Sequence, residues 1–383
     1  MKNISERSSE ELSSFYTSCE DTVQGALESA VWHTVRPSNL VKISTSCRTD
    51  TGVHALHNTG HFDLLPPHHT KLHPSPRILT KNINSWLMKR RLNIQVSSVL
   101  GVPASFHSRH DVISRLYLYR LAVFPNQLNF QDDSKRFHQW IEWPFNAKKR
   151  RRKDHVLSVR NHCVMSRLSL LENQNIFDFN LKPDESFNTE LFEKTLKLME
   201  GTHNFSNFSK TQGLFKYKTV DGKRYTPVPR TVDERTRTIS KIEVFNRGSP
   251  LPSSVYPVYS DNDVKFLDVV VQGQSFLHNQ IRRMIGAALA VATDKVSLAL
   301  INDLLNNPDR GWDPSLTPAQ SRGLYLARVE YAPETLALAT DKYEDMIKLD
   351  KIAYDPSMDG DRELEESCDD GEDLLIDNNG VKS

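Results

Sequence analysis

One carboxylate in this chain stands where a carboxylate could do covalent or acid–base work. It is Asp50, within Ser46-Cys47-Arg48-Thr49-Asp50-Thr51-Gly52-Val53-His54. A carboxylate held at a strand end beside an arginine suits a nucleophile or a general base, because the cation favours the ionised form. Gly52 supplies the backbone freedom that a tight turn needs. The loop is weak evidence by itself, since Asp and Gly dominate ordinary turns through local hydrogen bonding.

The segments that must hold this loop read as strands. Leu40 to Ser46 alternates, with Val41, Ile43 and Thr45 on one face and Lys42, Ser44 and Ser46 on the other. Beyond the loop, Leu56, Phe62 and Leu64 share a strand face at period two. Asp21 or Thr22 can cap a helix with Val23, Leu27, Ala30 and Val31 on one stripe, and residues 77–87 are expected to be helical. Residues 115–123 read as a strand buried on both faces, Leu116 and Leu118 on one, Tyr117, Tyr119, Leu121 and Val123 on the other.

Further on, a helix is expected over 189–200 and strands over 240–246 and 264–272, these last separated by a Pro- and Ser-rich loop. A long helix is expected from Ser275, as N-cap, to about Ala292, with Leu277, Ile281, Met284, Ile285 and Ala288 facing inward. His278 and Arg282, four residues apart, share a different face of it. A helix over 297–305 and a strand over 324–331 close the folded part, and the mixture of antiparallel strands with helices predicts an α+β fold.

Composition narrows the function classes. No apolar run of this 383-residue chain approaches the ~20 residues that a membrane helix needs. The first eleven residues are polar and include acids, unlike a secretory signal or an Arg-rich transit peptide. Four widely spaced cysteines, Cys19, Cys47, Cys163 and Cys368, form no C-x-x-C pair, which argues against structural zinc and a disulfide framework and for a reducing intracellular compartment. The formal charge of +1 hides an asymmetry. From Asp355 to Ser383 eleven acids face Arg362 and Lys382, a net −9, which leaves +10 on residues 1–354. A basic body with an acidic tail suits a nucleic-acid binder; solubility alone also accounts for the tail.

The Arg-Thr-Asp-x-Gly-Val-His core resembles the catalytic loop of the TruA-type tRNA pseudouridine synthases. Three further blocks resemble that family in order: Phe106-His107-Ser108-Arg109 with Ser114-Arg115-Leu116-Tyr117-Leu118-Tyr119-Arg120, then Gly201-Thr202-His203-Asn204-Phe205-Ser206-Asn207-Phe208, then Ser275 to Gly286. Gly323-Leu324-Tyr325-Leu326 resembles the closing strand, and the wording around Tyr117 and Gln280 to Met284 points to the synthase-like 1 branch. Any one block is unspecific; four in order, over roughly residues 22–332, are not.

The resemblance implies that Asp50 is the nucleophile for a uridine in tRNA, with Arg282 its ion-pair partner. It implies that Tyr117 stacks on the flipped base, that Leu277 lines the base pocket and that Arg48 holds the target strand. Isomerising uridine to pseudouridine changes no oxidation state, so no cofactor and no metal are expected. The implied architecture is two sheet-containing lobes, mainly antiparallel strands flanked by helices, facing a central basic RNA-binding cleft. The corresponding division is a polar segment 1–20, an N-terminal lobe 21–123 with the catalytic loop, a basic insertion or linker 124–188, a C-terminal lobe 189–332 and an acidic tail 333–383. Family members differ in oligomeric state, which leaves a homodimer open.

The chain departs from the family at its start. No glycine precedes Gly25, so the first strand and its glycine-containing loop are expected to be missing or replaced; Thr51 stands where Ala is usual. Arg283 is a candidate for RNA phosphate, and Lys148 to Lys153 for phosphate contact or nuclear import. Mitochondrial, nuclear and cytoplasmic sites are not separated. Two rival functions are a non-catalytic RNA-binding protein on the same fold and, remotely, a metal-dependent hydrolase using His54, His57 and His61. In a strand His57 and His61 share a face while His54 points away, so the three do not converge locally.

Overall fold

The computed structural model describes Tyr16 and residues 21–65, 74–124, 177–182, 185–210, 215–220, 223–229, 235–247 and 265–342. The Lys148–Lys153 run, the Pro- and Ser-rich loop and the acidic stretch from Asp355 lie outside the described residues.

Two hydrophobic cores organise the chain. The smaller joins helix α1 (Val23–Val35) and helix α2 (Pro76–Lys89) to the segment 40–45. Thr22 caps α1 by accepting a hydrogen bond from the Gly25 N–H at 3.0 Å. Arg36 ends it in the left-handed region (φ 55°) and lays its guanidinium 3.9 Å from the centre of the Trp32 ring. Helix α2 starts on Pro76, which loses nothing by lacking an N–H there, and buries Leu79, Ile83 and Leu87 at four-residue spacing.

The segment before Asp50 keeps the expected alternation of burial, with Val41 and Ile43 inside and Lys42 and Ser44 outside. Its ladder is short, however: strand β1 (Ser44–Thr45) pairs antiparallel with β3 (Gly60–His61). On the opposite edge, where a further strand would pair, side chains take the backbone donors. The Val41 N–H donates to the Tyr16 hydroxyl and the Ile43 N–H to Glu28 Oε1, each at 2.8 Å. This satisfies buried backbone N–H groups through side-chain acceptors.

The second core lies on a seven-stranded sheet ordered β2-β11-β4-β10-β9-β6, with β5 also paired to β4. In chain order these are β2 (His54–Ala55), β4 (Val112–Phe124), β5 (Phe177–Asn180), β6 (Gly201–Asn204), β9 (Thr236–Arg247), β10 (Lys265–Gly273) and β11 (Leu324–Tyr331). Only the β11–β2 and β4–β5 pairs are parallel. A separate hairpin pairs β7 (Phe215–Val220) with β8 (Lys223–Pro229). Mainly antiparallel sheets flanked by helices are the α+β class that the sequence predicts. Strand β4 buries Tyr117, Tyr119, Leu121 and Val123 on one face as expected, while Leu116 and Leu118 are half-buried on the other.

Helix α3 (Thr189–Lys197) packs on helix α4 (Gln280–Ala292), which is buried almost along its whole length, and helix α5 (Leu298–Asn306) lies against β6. Two sequence expectations need correction here. Strand 56–64 does not form as one piece, because residues 54–55 join β11 in the main sheet while 60–61 join β1. The Leu56 and His57 N–H groups both turn to the Leu326 carbonyl, leaving the Leu56 side chain 56% exposed. Helix α4 starts on Gln280, not just after Ser275, because Asn279 takes the left-handed conformation (φ 61°, ψ 6°) that breaks the helical run.

Gly286 lets the segment after α5 lie directly on α4. A Cβ there would come 2.0 Å from the Thr317 carbonyl oxygen. Gly286→Ala is therefore expected to destabilise the fold. Alanine returns ~1 kcal/mol of helix propensity, whereas overpacking of rigid backbone costs ~3 kcal/mol or more. A net loss of about 2 kcal/mol in denaturant unfolding is the expected result; an unchanged midpoint would refute this packing.

Among the described residues no helix is long and apolar enough to cross a membrane.

Candidate active site

The loop after β1 turns sharply at Asp50. The Val53 N–H donates to the Asp50 carbonyl at 2.9 Å, and Gly52 takes φ 78° in the third position of this turn. A Cβ on Gly52 would meet Ser321 Oγ at 2.6 Å, so the turn is closed against the segment that precedes β11. The Asp50 side chain is 31% exposed and faces the start of α4.

Two side chains from that start approach its carboxylate. Arg282 NH1 stands 4.0 Å from Oδ2, and His278 Nε2 stands 3.2 Å from Oδ1. Arg282 is fixed from three sides. Its Nε donates to the Ala319 carbonyl at 2.8 Å, its NH1 to Asn279 Oδ1 at 2.9 Å, and its own carbonyl accepts from the Ala319 N–H at 2.8 Å. The left-handed backbone of Asn279 thus turns its side chain onto the arginine. Local strain of this kind persists where surrounding contacts enforce it.

Tyr117 lies behind the loop, 6% exposed. Its hydroxyl is 2.8 Å from Cys47 Sγ, and its ring meets Phe276 edge to face at 5.2 Å. Burial first, and the Cys47 thiol second, hold its phenol well above the ordinary tyrosine range, so it stays neutral. Tyr119, fully buried two residues on, donates its hydroxyl to the Gln320 carbonyl at 2.9 Å. Leu277 is half-buried against the main core in the loop ahead of α4, not on the helix. Arg48 is exposed at the loop entrance, two residues before Asp50.

The loop is anchored by a residue whose role the sequence alone did not reveal. Arg115 on β4 is 7% exposed, and its guanidinium donates to three backbone carbonyls: Ser46 at 2.6 Å, Arg109 at 3.3 Å, and Gln274. One buried cation therefore ties the entrance of the Asp50 loop, the second motif and the approach to α4. The rest of the second motif supports this from below. Ser108 Oγ donates to the Ser44 carbonyl at 2.6 Å, and the Ser108 N–H to His61 Nδ1 at 3.1 Å.

Arg283 does not face a ligand. It is 9% exposed, donates to the Asn207 and Ser209 carbonyls and stacks 4.6 Å over Trp312, so the RNA-phosphate role that its sequence position allowed is corrected to a packing one. Asn207 of the third motif is likewise structural, bonded to the Leu304 and Asn307 carbonyls and to the Gly311 N–H. The histidines at 54, 57 and 61 do not converge: His54 packs on Tyr325 and His61 on His107. Among the described residues no group of three His, Cys, Asp or Glu is placed to hold a metal ion.

The chain is similar to known proteins over most of its length. A family model described as tRNA pseudouridine synthase matches residues 196–332. The human protein named tRNA pseudouridine synthase-like 1 is 27% identical over 312 residues, 81% of this chain and 81% of its own. The mouse protein of that name is 27% identical over 296 residues, 76% of this chain and 78% of its own. A tRNA pseudouridine synthase A of Geobacillus sp. (strain WCH70) is 25% identical over 310 residues, 81% of this chain and 89% of its own. The chain is thus similar to tRNA pseudouridine synthases, through residues 196–332 in the family model and over about four fifths of its length in these relatives.

Proposed function

We infer that this chain is a tRNA pseudouridine synthase, an isomerase acting on uridine in tRNA. The observation that carries the reading is the Asp50 carboxylate, part-exposed in a rigid turn and flanked by a fixed arginine from the fourth motif. In this reading an Asp50 carboxylate oxygen bonds to C1′ of the uridine as the N1–C1′ bond breaks. The detached uracil turns, and C5 bonds to C1′ as the Asp50–C1′ bond breaks and the carboxylate is regenerated. The hydrogen on C5 leaves as a proton and N1 gains one, so the step balances without an electron donor or acceptor.

Arg282 supports this role by favouring the ionised, nucleophilic form of a carboxylate. Its three anchoring hydrogen bonds mean that no reorganisation is needed when charge develops. Tyr117 is assigned to the uracil face and Leu277 to the pocket wall, with Arg48 on the target strand. Since Tyr117 is 6% exposed, with Cys47 at its hydroxyl and Phe276 against its ring, a uracil reaches that ring only if a covering group moves aside. Extruding the base costs a few kcal/mol, least in tRNA loops, and phosphate contacts offset it.

The test is pseudouridine formation on unmodified tRNA incubated with the purified chain, mapped by a modification-specific chemical readout. Pseudouridine at defined positions is the expected result. Folded protein that binds tRNA and leaves every uridine unchanged would overturn the reading in favour of a binding protein.

A further inference from the structure

The nearest charged or chargeable neighbour of Asp50 is a histidine. His278 Nε2 is 3.2 Å from Oδ1, closer than Arg282 NH1 at 4.0 Å from Oδ2. The two occupy different oxygens, so they do not compete. They also differ in what else they do. Arg282 is committed to Ala319 and Asn279, while the His278 ring reaches the carboxylate from a side chain that is 40% exposed.

We propose that His278 is a positioning residue for the isomerisation, its Nε2 orienting Asp50 through Oδ1 while Arg282 faces Oδ2. The proposal rests on the synthase reading given above. Its structural basis is the break in the chain at Asn279. Had the helix begun at Ser275, His278 would point from a helix turn fixed relative to Arg282. Instead it sits in the pre-helical loop, held by its own carbonyl accepting from the Lys210 N–H at 3.0 Å, and by Leu277, whose N–H donates to Gln280 Oε1 at 2.7 Å. That loop turns the imidazole to the far oxygen of the carboxylate.

A polar partner 3–4 Å from a part-exposed carboxylate is worth on the order of a factor of ten in equilibrium or rate.

Single-turnover pseudouridine formation on unmodified tRNA, measured beside tRNA binding and thermal melting, tests this with three variants. His278→Ala is expected to lose roughly 10-fold in rate with tRNA affinity kept. His278→Gln, whose amide offers a donor on a side chain of similar reach, is expected to recover most of that rate. A His278→Ala rate equal to wild type would overturn the proposal. So would loss in both variants alike, which marks packing and not orientation of the carboxylate. Asp50→Ala separates the two layers. If wild type forms no pseudouridine, the synthase reading falls and this proposal with it; if only the histidine variants behave as wild type, the synthase reading stands and His278 is a bystander.

Discussion

Asp50→Ala is expected to abolish pseudouridine formation while leaving the protein folded and able to bind tRNA. The loss should be at least ~10⁴-fold, the scale on which removal of a covalent nucleophile is felt when nothing nearby can replace it. The other candidate groups at the site cannot substitute: Arg282 and His278 present nitrogen cations or donors, and the Tyr117 hydroxyl is buried and turned to Cys47. Stability should change by less than ~1 kcal/mol, since the side chain is part-exposed and its contacts are ion-pair contacts at the surface. tRNA affinity should stay the same or rise, because the change removes a negative charge between two groups that attract phosphate. Mapped pseudouridine, a melting curve and a binding isotherm on one preparation check all three. Product from Asp50→Ala at a tenth of the wild-type rate would remove Asp50 from the nucleophile role.

Arg115→Ala is the second large effect and of the opposite kind. The side chain is buried, and deleting it leaves the carbonyls of Ser46, Arg109 and Gln274 without their donor. Each such loss costs on the order of 1–2 kcal/mol, so a total near 3–5 kcal/mol is expected in denaturant unfolding. Activity should fall about 100-fold even at temperatures where the variant stays folded, since a shift of ~1 Å in reacting groups has that effect. Arg115→Lys keeps the charge but not the fork, and should recover only part of either loss. Arg115→Ala melting as wild type would show that water replaces the guanidinium without strain.

These two residues mark what the sequence made legible. Asp50 was readable because a carboxylate, a glycine and an arginine occupy one short loop between alternating segments, and three further blocks follow in order. Arg115 stood inside one of those blocks, yet nothing local says that an arginine two residues before a buried tyrosine will itself be buried. Its acceptors come from positions 46, 109 and 274, and only the folded chain brings them together.

Strand β4 was legible from its alternation, and α1, α2 and α4 from apolar stripes and capping residues. The start of α4 was not, although its end at Ala292 was. Ser275 is a good capping residue, and propensity favoured it, but the left-handed Asn279 overrides it to serve Arg282. The split of the 56–64 segment was hidden for a different reason: the partner of His54 and Ala55 is β11, about 270 residues later, and pairing at that separation leaves no mark in a local pattern.

That late partner has a bearing on when the protein can work. The turn that carries Asp50 leans on Ser321, Arg282 is held by Ala319, and β2 pairs with Tyr325 and Leu326. Asp50 thus emerges from the ribosome early but is held in place by residues made about 270 positions later. At ~5–20 residues per second the interval between residue 50 and residue 331 is on the order of tens of seconds. Throughout it the nascent chain lacks the contacts that shape the Asp50 site, so any chemistry of that site waits until the chain has reached β11.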